Sequence, residues 1–502
     1  MTMHINRVFL LLASLLALGA CKKGFEGSKA TLAEPQTYMS VDTIYRTGEN
    51  RLTTLIEAHW WGVADGGYVV GYEISTDNQL SWHFTKSQDS TFLLKIPPGQ
   101  DSADVVVYVR AIDHLGKVDG TPASTLFPIK NSKPAVKFVF SQSIAGIPSQ
   151  NPTTVFPVLR YTLFGSDPDG EEDIKEYELY INDTLRAPYI LPANTGSFLL
   201  LSNSPKADSG DCKVYINGSN NSLPGVVSGL KHGTTNIVYV RAIDKALSKS
   251  EYVPTPSIWV KKVSSDILVV NAYSSNKIFV QNFYLNNLKN IGITVFDTLQ
   301  ATEVINSNYT QLQPDFLAQN KTFGLFKKIV WFGDDASFSF SYGQRTTTDF
   351  FNNGGNLFMA VAINSNFDPL SNFLDWTPIK SLINPPAGSV FRVNINALVQ
   401  PVKMGWPTLK STAIIASARP FEIPSSTPSV GYDSVYYGGI IESKTGLPPS
   451  DWTGKSAVIA KRFSVGTQKT NFVVSSLPME RFNGNTNMDT LFRKIFIEEL
   501  GF

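Results

Sequence analysis

A seven-residue run occurs twice in this chain, and no other feature constrains the fold as tightly. Val107-Tyr108-Val109-Arg110-Ala111-Ile112-Asp113 returns residue for residue as Val238-Tyr239-Val240-Arg241-Ala242-Ile243-Asp244, 131 positions later. The alternation around Tyr108 and Tyr239 turns one face inward and one outward, as a half-buried strand requires. Each copy is followed by a turn-rich stretch and a closing strand, 124–129 and 257–260. An interval of 131 residues is domain-sized. The chain therefore carries two copies of one unit, and its 502 residues leave room for a further domain.

Upstream of each copy lie more short strands separated by turn residues. In the first unit they are 55–61, 69–75, 82–85 and 91–94; in the second, 159–164 and 174–181 flank Ser166-Asp167-Pro168-Asp169-Gly170. Short strands at regular spacing with Gly, Pro and Asp turns predict all-β sandwiches. Their order and the Tyr-Val-Arg-Ala-Ile-Asp run resemble fibronectin type III and related immunoglobulin-like modules, over 38–131 and 132–263. The resemblance implies a fold and almost nothing about activity. The acidic run from Asp167 to Asp173 offers several carboxylates to a hard cation. It lacks the spacing and terminal Glu of an EF-hand, and reads as an acidic turn. His59, Trp60, Trp61, Trp82 and His83 could form a sugar-binding face, although alternation sends at least one Trp of each run into the core. Cys212 sits in a strand-like run and reads as a buried, inert thiol.

From Ser264 the pattern changes. Residues 266–273 form a near-continuous apolar run, the mark of a strand buried on both faces. An amphipathic helix with Phe279, Phe283, Tyr284 and Leu288 follows, then a strand at 292–297, a helix near 315–317 and a strand at 328–335. A helix ending at Gly354-Gly355 leads into a strand at 356–362. Later strands are expected at 412–416, 456–463 and 471–475, and a last helix at 489–500. Alternating strands and helices predict an α/β parallel-sheet domain over 264–502. The segments 329–334, 350–359 and 473–482 resemble the third strand, the Gly-Gly entry to the fourth strand and a late strand with its Pro-containing loop in class I glutamine-amidotransferase-like, flavodoxin-like domains. The fold class that follows is multidomain: two immunoglobulin/fibronectin type III-like sandwiches, then an α/β parallel-sheet domain.

The departure from that family decides the chemistry. Its enzymes place a Gly-x-Cys-x-Gly elbow after the Gly-Gly-linked strand and a His later; here the elbow position reads Ala360-Val361-Ala362-Ile363-Asn364. The five histidines are at 4, 59, 83, 114 and 232, so residues 264–502 hold neither His nor Cys. A Cys–His or Ser–His pair within this region is excluded, because the nucleophile needs a base within hydrogen-bond reach. A His-rich metal site fails on the same count, and no dinucleotide or P-loop signature occurs. No catalytic residue, metal or cofactor is assigned. A carboxylate mechanism survives. Asp334 and Asp335 end a parallel strand, where ligands of such sheets bind, and Ser337, Ser339, Arg345, Asn364 and Ser365 could line the same crevice. The plainer use of Asp335 is to cap a helix. Tyr432, Tyr436, Tyr437, Trp376, Trp406 and Trp452 lie in long Pro- and Gly-rich loops between 364 and 455, which would suit a glycan or protein surface.

The amino terminus is an address. Arg7 precedes an apolar run, 8–18, too short to span a bilayer core that needs about 20 residues. Leu18-Gly19-Ala20-Cys21 resembles a bacterial lipobox, which implies cleavage after residue 20 and acylation of Cys21. Residues 22–37 read as a tether. With 43 basic against 42 acidic residues the net charge is +1, which disfavours nucleic acid as a partner. The expectation is a cell-envelope lipoprotein, held by Cys21 in the outer membrane, acting as a non-catalytic binding or assembly module with a glycan or envelope protein as partner. The alternatives are a carboxylate- or metal-dependent hydrolase in the C-terminal domain and adhesion through the sandwiches.

Overall fold

The computed structural model describes residues 32–41, 55–94, 96–97, 100, 102–139, 152–169, 173–302, 311–313 and 315–502. The signal segment, Cys21, the tether up to residue 31, and Gly170, Glu171 and Glu172 of the acidic turn lie outside them. The chain divides into two compact units. One carries the first sandwich, and the other carries most of the second together with the C-terminal region.

In the first sandwich, β1 (Gln36–Ser40), β2 (Leu55–Val63) and β5 (Asp89–Leu93) form one antiparallel sheet. The other is ordered β4 (His83–Thr85), β3 (Val69–Ser75), β6 (Ser102–Asp113), β7 (Ala123–Lys130). This three-plus-four division is that of a fibronectin type III-like module. The first heptapeptide lies in β6. Its alternate residues Val107, Val109 and Ala111 are fully buried beside Trp60, Tyr72 and Phe127. The first strand begins inside the stretch read as tether. Thr37 is buried, its amide donating to Asp119 at 2.8 Å and its hydroxyl accepting from Ala111 N–H at 2.8 Å.

The second sandwich repeats the plan with an addition. One sheet is β8 (Ala135–Val139), β10 (Val158–Ser166), β13 (Ser197–Ser202), β14 (Ser209–Ile216) and β15 (Val227–Lys231); β9 (Thr154–Val155) lies between β8 and β10 in the chain. The other sheet orders β12 (Tyr189–Pro192), β11 (Ile174–Ile181), β17 (Val238–Asp244) and β18 (Val253–Pro254). Short strands β16 (Thr234–Asn236) and β19 (Ile258–Val260) join β9 in a third sheet. Among the described residues, the β14–β15 hairpin has no counterpart in the first sandwich. Cys212 lies on β14, fully buried, its thiol pushed up to about 12 by burial and by Asp211, so it stays protonated and unreactive.

The C-terminal region is strand-rich. β20 (Ile267–Ala272), β21 (Asp297–Gln300), β22 (Lys328–Gly333) and β23 (Asn356–Val361) are parallel and joined by α1 (Lys277–Asn290), α2 (Phe316–Phe323), α3 (Ala336–Thr346) and α4 (Thr348–Asn352). Residues 362–456 then carry short strands β24 (Ser381–Leu382), β25 (Ser389–Arg392), β26 (Leu398–Pro401), β27 (Leu409–Lys410), β28 (Phe421–Glu422), β29 (Val430–Tyr437), β30 (Ile441–Lys444) and β31 (Ser450–Asp451). β32 (Ala457–Ser464), β33 (Thr470–Ser475) and α5 (Met488–Phe492) close the chain, α5 running on into a π-helical turn, Arg493–Glu499. The spatial order is β21-β20-β22-β23-β33-β32-β29-β26-β27. The first five strands are mutually parallel; β32, β29, β26 and β27 continue the sheet antiparallel.

The sheet is thus mixed, where a parallel one was expected. The antiparallel half comes from the 362–456 insertion and the β32–β33 pair, segments whose short strands carry no helix between them. The strand expected at 292–297 starts only at Asp297: α1 runs to Asn290, and Gly292, at φ +93°, turns the chain before pairing begins. Residues 412–416 form no strand; Ile415 makes one isolated bridge to Val393. The helical stripe of α1 is Val280, Tyr284 and Leu288, all buried, while Phe279 is 66% exposed.

Both faces of the sheet are covered. Val280, Tyr284, Leu288, Phe492 and Phe496 pack on one face, and Phe323, Phe340 and Phe350 on the other. The second sandwich docks on the sheet-covering helices: Val158, Leu199 and Tyr215 enclose Ala318, Arg160 pairs with Asp315, and Gln313 Nε2 donates to the Val158 carbonyl at 2.8 Å. No helix among the described residues is long and apolar enough to cross a membrane.

Candidate crevice at the strand ends

Numbered along the chain, the five parallel strands stand in the order 2-1-3-4-5, so the direction of sheet growth reverses between β20 and β22. The connections leaving those two strands pass to opposite faces and leave a gap outside their carboxyl ends, where ligands of such sheets bind. Two recesses open there, of about 580 and about 770 Å³, and Asp334 borders both.

Asp334, directly after β22, holds the chain leaving β20. Its Oδ1 accepts from Ser274 N–H at 2.8 Å, and its Oδ2 from the Ser274 hydroxyl at 2.7 Å and Ser275 N–H at 3.3 Å. Asp335 caps α3, accepting from Phe338 N–H at 3.0 Å. Ser337 and Asn364 line the larger recess with these two acids and with Ser274, Thr302 and Ser341. Ser341 donates to the Ser337 carbonyl at 2.6 Å, a bond inside the helix.

Two expected members stand elsewhere. Arg345, in the last turn of α3, lies over the Phe316 ring, 4.9 Å from its centroid. Ser365 is tied through its carbonyl to Arg419 Nη1 at 3.0 Å and does not line either recess. Ser339 is fully buried on α3 and lines neither recess.

Apart from Asp334, the smaller recess is built from residues not expected to form a site. Glu480 and Arg481 follow β33 in the Pro478-containing loop. Tyr273 follows β20, Asn276 precedes α1, and residues 412–416 of the insertion also line the recess. Tyr273 Oη donates to Glu480 Oε1 at 3.0 Å; Glu480 Oε2 is buried and has no hydrogen-bond partner. Burial raises the Glu480 carboxyl above the usual glutamate range; its own amide and the Tyr273 hydroxyl pull the other way. Burial, with Glu480 beside it, also holds the Tyr273 hydroxyl protonated. Arg481 Nη1 donates to the Ile414 carbonyl at 3.2 Å. A charged pair just beyond a doubly buried strand was the available signal. Among the described residues, this edge of the sheet gathers no set of three His, Cys, Asp or Glu side chains suited to a metal ion.

The other singled-out groups are mostly structural. In the acidic turn, Asp169 accepts from Ser132 N–H at 2.6 Å and Asp167 from Asp169 N–H at 2.8 Å. Trp60 is core, Trp61 stacks on Tyr38 with ring centroids 5.5 Å apart, and Trp82 lies under Arg110. Most of the insertion aromatics, expected as an exposed surface, are packed instead. Tyr436 is buried against Trp406 and donates to the Pro407 carbonyl at 2.8 Å. Trp452 packs on Phe391, and Trp376 on Phe351 and Phe472; Tyr437 alone among those named is 42% exposed. The insertion's short strands supply the core that claims them.

No family model matches the chain, and no curated protein does. Solved structures align with just under half of it. The fibronectin(III)-like modules of CbhA from Clostridium thermocellum match at 14% identity over 45% of this chain and 94% of theirs, with a TM-score of 0.16. A two-domain fibronectin type III segment of chicken tenascin matches at 9% identity over 45% of this chain and all of its own, with a TM-score of 0.20. The FN1–FN3 domains of chicken CNTN1 match at 12% over 47% of this chain and 69% of theirs, with a TM-score of 0.18. At such scores the likenesses carry no weight of their own, and the sandwich assignment rests on the strand order described above.

Proposed function

We propose that this protein is a non-catalytic recognition module of the bacterial cell envelope, anchored through acylated Cys21, with its ligand site at the carboxyl ends of β20 and β22. In this reading the two sandwiches are a stalk, and the C-terminal region is a flavodoxin-like, amidotransferase-related sheet that has lost its nucleophile. The observation that carries the non-catalytic reading is the engagement of Asp334. The acid at the switch point has both oxygens committed to the Ser274–Ser275 segment, where it shapes the crevice. Nearby hydroxyls lack an imidazole to take their protons, since no histidine lies beyond position 232. The 2-1-3-4-5 order and the open recesses support a binding site there.

The test is a turnover screen of the full chain against chromogenic esters, amides and glycosides, beside Glu480→Gln. No turnover is expected. Turnover that Glu480→Gln removes would establish the hydrolase alternative, with Glu480 as its acid. For the anchor, expression with a clickable fatty-acid label should mark the wild-type chain and not Cys21→Ala, and the variant should leave the membrane fraction. Equal labelling of both chains would refute acylation at Cys21.

A further inference from the structure

We infer that the smaller recess binds a neutral saccharide, its ring seated on Phe279 and its hydroxyls shared between Glu480 and Arg481. This deepens the binding reading proposed above and rests on it.

Four observations converge. The recess measures about 580 Å³, within the range of roughly 300–1,000 Å³ typical of small-molecule sites. Phe279 lines it yet is 66% exposed, one residue off the buried Val280-Tyr284-Leu288 stripe that holds α1 to the sheet. An exposed aromatic ring at the mouth of a cavity offers the flat apolar surface that the C–H face of a sugar ring covers. Glu480 lines the recess; its Oε2 is closed to water and has no hydrogen-bond partner, and an unmet buried acceptor costs about 1–3 kcal/mol until a slight turn of the carboxyl brings it to a donor. Its other oxygen accepts from Tyr273. Arg481 supplies donors on the same wall, and the Asn276 side chain makes no capping bond to α1.

The ligand must therefore present donors and acceptors side by side on an apolar body. A hydroxyl both donates and accepts, so a sugar satisfies Glu480 and Arg481 together. A cationic ligand would meet the Arg481 charge, and an anionic one would meet Asp334. A hydroxyl also serves Glu480 in either protonation state, which suits a carboxyl that burial holds toward its neutral form.

The experiment displays neutral, amino and acidic oligosaccharides on an array and probes it with the full chain. Affinities are then measured by titration calorimetry for the oligosaccharide retained best. Neutral glycans are expected to be retained. Phe279→Ala and Glu480→Leu should each weaken binding about tenfold or more, with thermal melting confirming that both variants fold. Trp61→Ala, on the first sandwich, should bind like wild type. Retention of amino glycans alone, or affinity unchanged in Phe279→Ala, overturns the saccharide assignment. If no glycan of any kind is retained, the inference fails while the wider binding reading stands. If a retained glycan is cleaved, the wider reading fails as well.

Discussion

The two sandwiches carry the same seven residues and use them to different depths. In the first, Arg110 Nε donates to Glu73 at 2.8 Å, and its guanidinium lies 3.9 Å from the centroid of the Trp82 ring; both charged side chains keep about a quarter of their surface. In the second, Arg241 pairs with Glu178 and lies 4.4 Å from the centroid of Tyr252, but Glu178 retains only 5% of its side-chain surface. Tyr180 Oη donates to the same carboxylate at 2.7 Å and Lys249 Nζ at 2.9 Å. The cause can be read position by position. The turn after the motif keeps the 131-residue offset, for Ile112 bridges Val118 as Ile243 bridges Lys249. Where the second sandwich has Lys249 the first has Val118, and where it has Tyr180 the matching strand position of the first has Ser75. A repeated motif thus preserves the pairing, and its neighbours decide how far from water the pairing is made.

The largest effect expected from this difference is the cost of removing the acid. Glu178→Ala strands Arg241 in a shielded place and should destabilise the second sandwich by about 3 kcal/mol. Glu73→Ala leaves Arg110 with access to water and should cost about 1 kcal/mol or less in the first. Native-state hydrogen exchange measures each separately, through the β11–β17 and β3–β6 amides. Equal losses in the two strand pairs would show that depth does not matter here.

Acid should separate the two sandwiches in the same direction. Burial alone would raise the Glu178 carboxyl, but bonds from Lys249, Tyr180 and Arg241 outweigh it and leave the group below the usual glutamate range. A carboxylate depressed in the fold contributes stability above its unfolded value, about 4.3, and that contribution fades as pH falls toward the depressed one. Protection of the β11–β17 amides should therefore drop between about pH 5 and pH 3 in the wild type. In Glu178→Gln the same drop should be absent. An identical acid profile in both chains would assign the loss to other groups.

How much of this was legible in the sequence follows from the period of each signal. The heptapeptide and its flanking strands could be read because alternation of period 2 survives in Val107, Val109 and Ala111. β20 could be read because all six of its residues are buried, which forces an apolar run. The insertion could not. Tyr436, Trp406 and Trp452 stand among prolines and glycines that look like surface loop, and only the short strands pairing across 381–451 show the core that encloses them. Phe279 misled for a related reason: spacing of 279, 283 and 284 fits a helical stripe as well as 280, 284 and 288 does, and only packing on β22 chooses. Asp334 and Asp335 were found by their place after a strand. Glu480 lies equally close to a strand end, but its weight depends on Tyr273, 207 residues earlier, which no local pattern reveals.

The smallest effect is a transplant. If Lys249 is what deepens the second pairing, then Val118→Lys should give the first sandwich part of the same network, since the bridge to Ile112 sets residue 118 where Lys249 stands. Val118 is half-buried, and a long side chain can lay its stem along the strand while its ammonium reaches Glu73. The Arg110–Glu73 pair is partly open to water, so the gain should be small, about 0.5 kcal/mol, and should shrink in high salt. Exchange protection in β3–β6 with and without salt reads both. A gain that ignores salt would come from packing of the lysine stem, and the comparison would then rest on Tyr180 and burial, with Lys249 incidental to it.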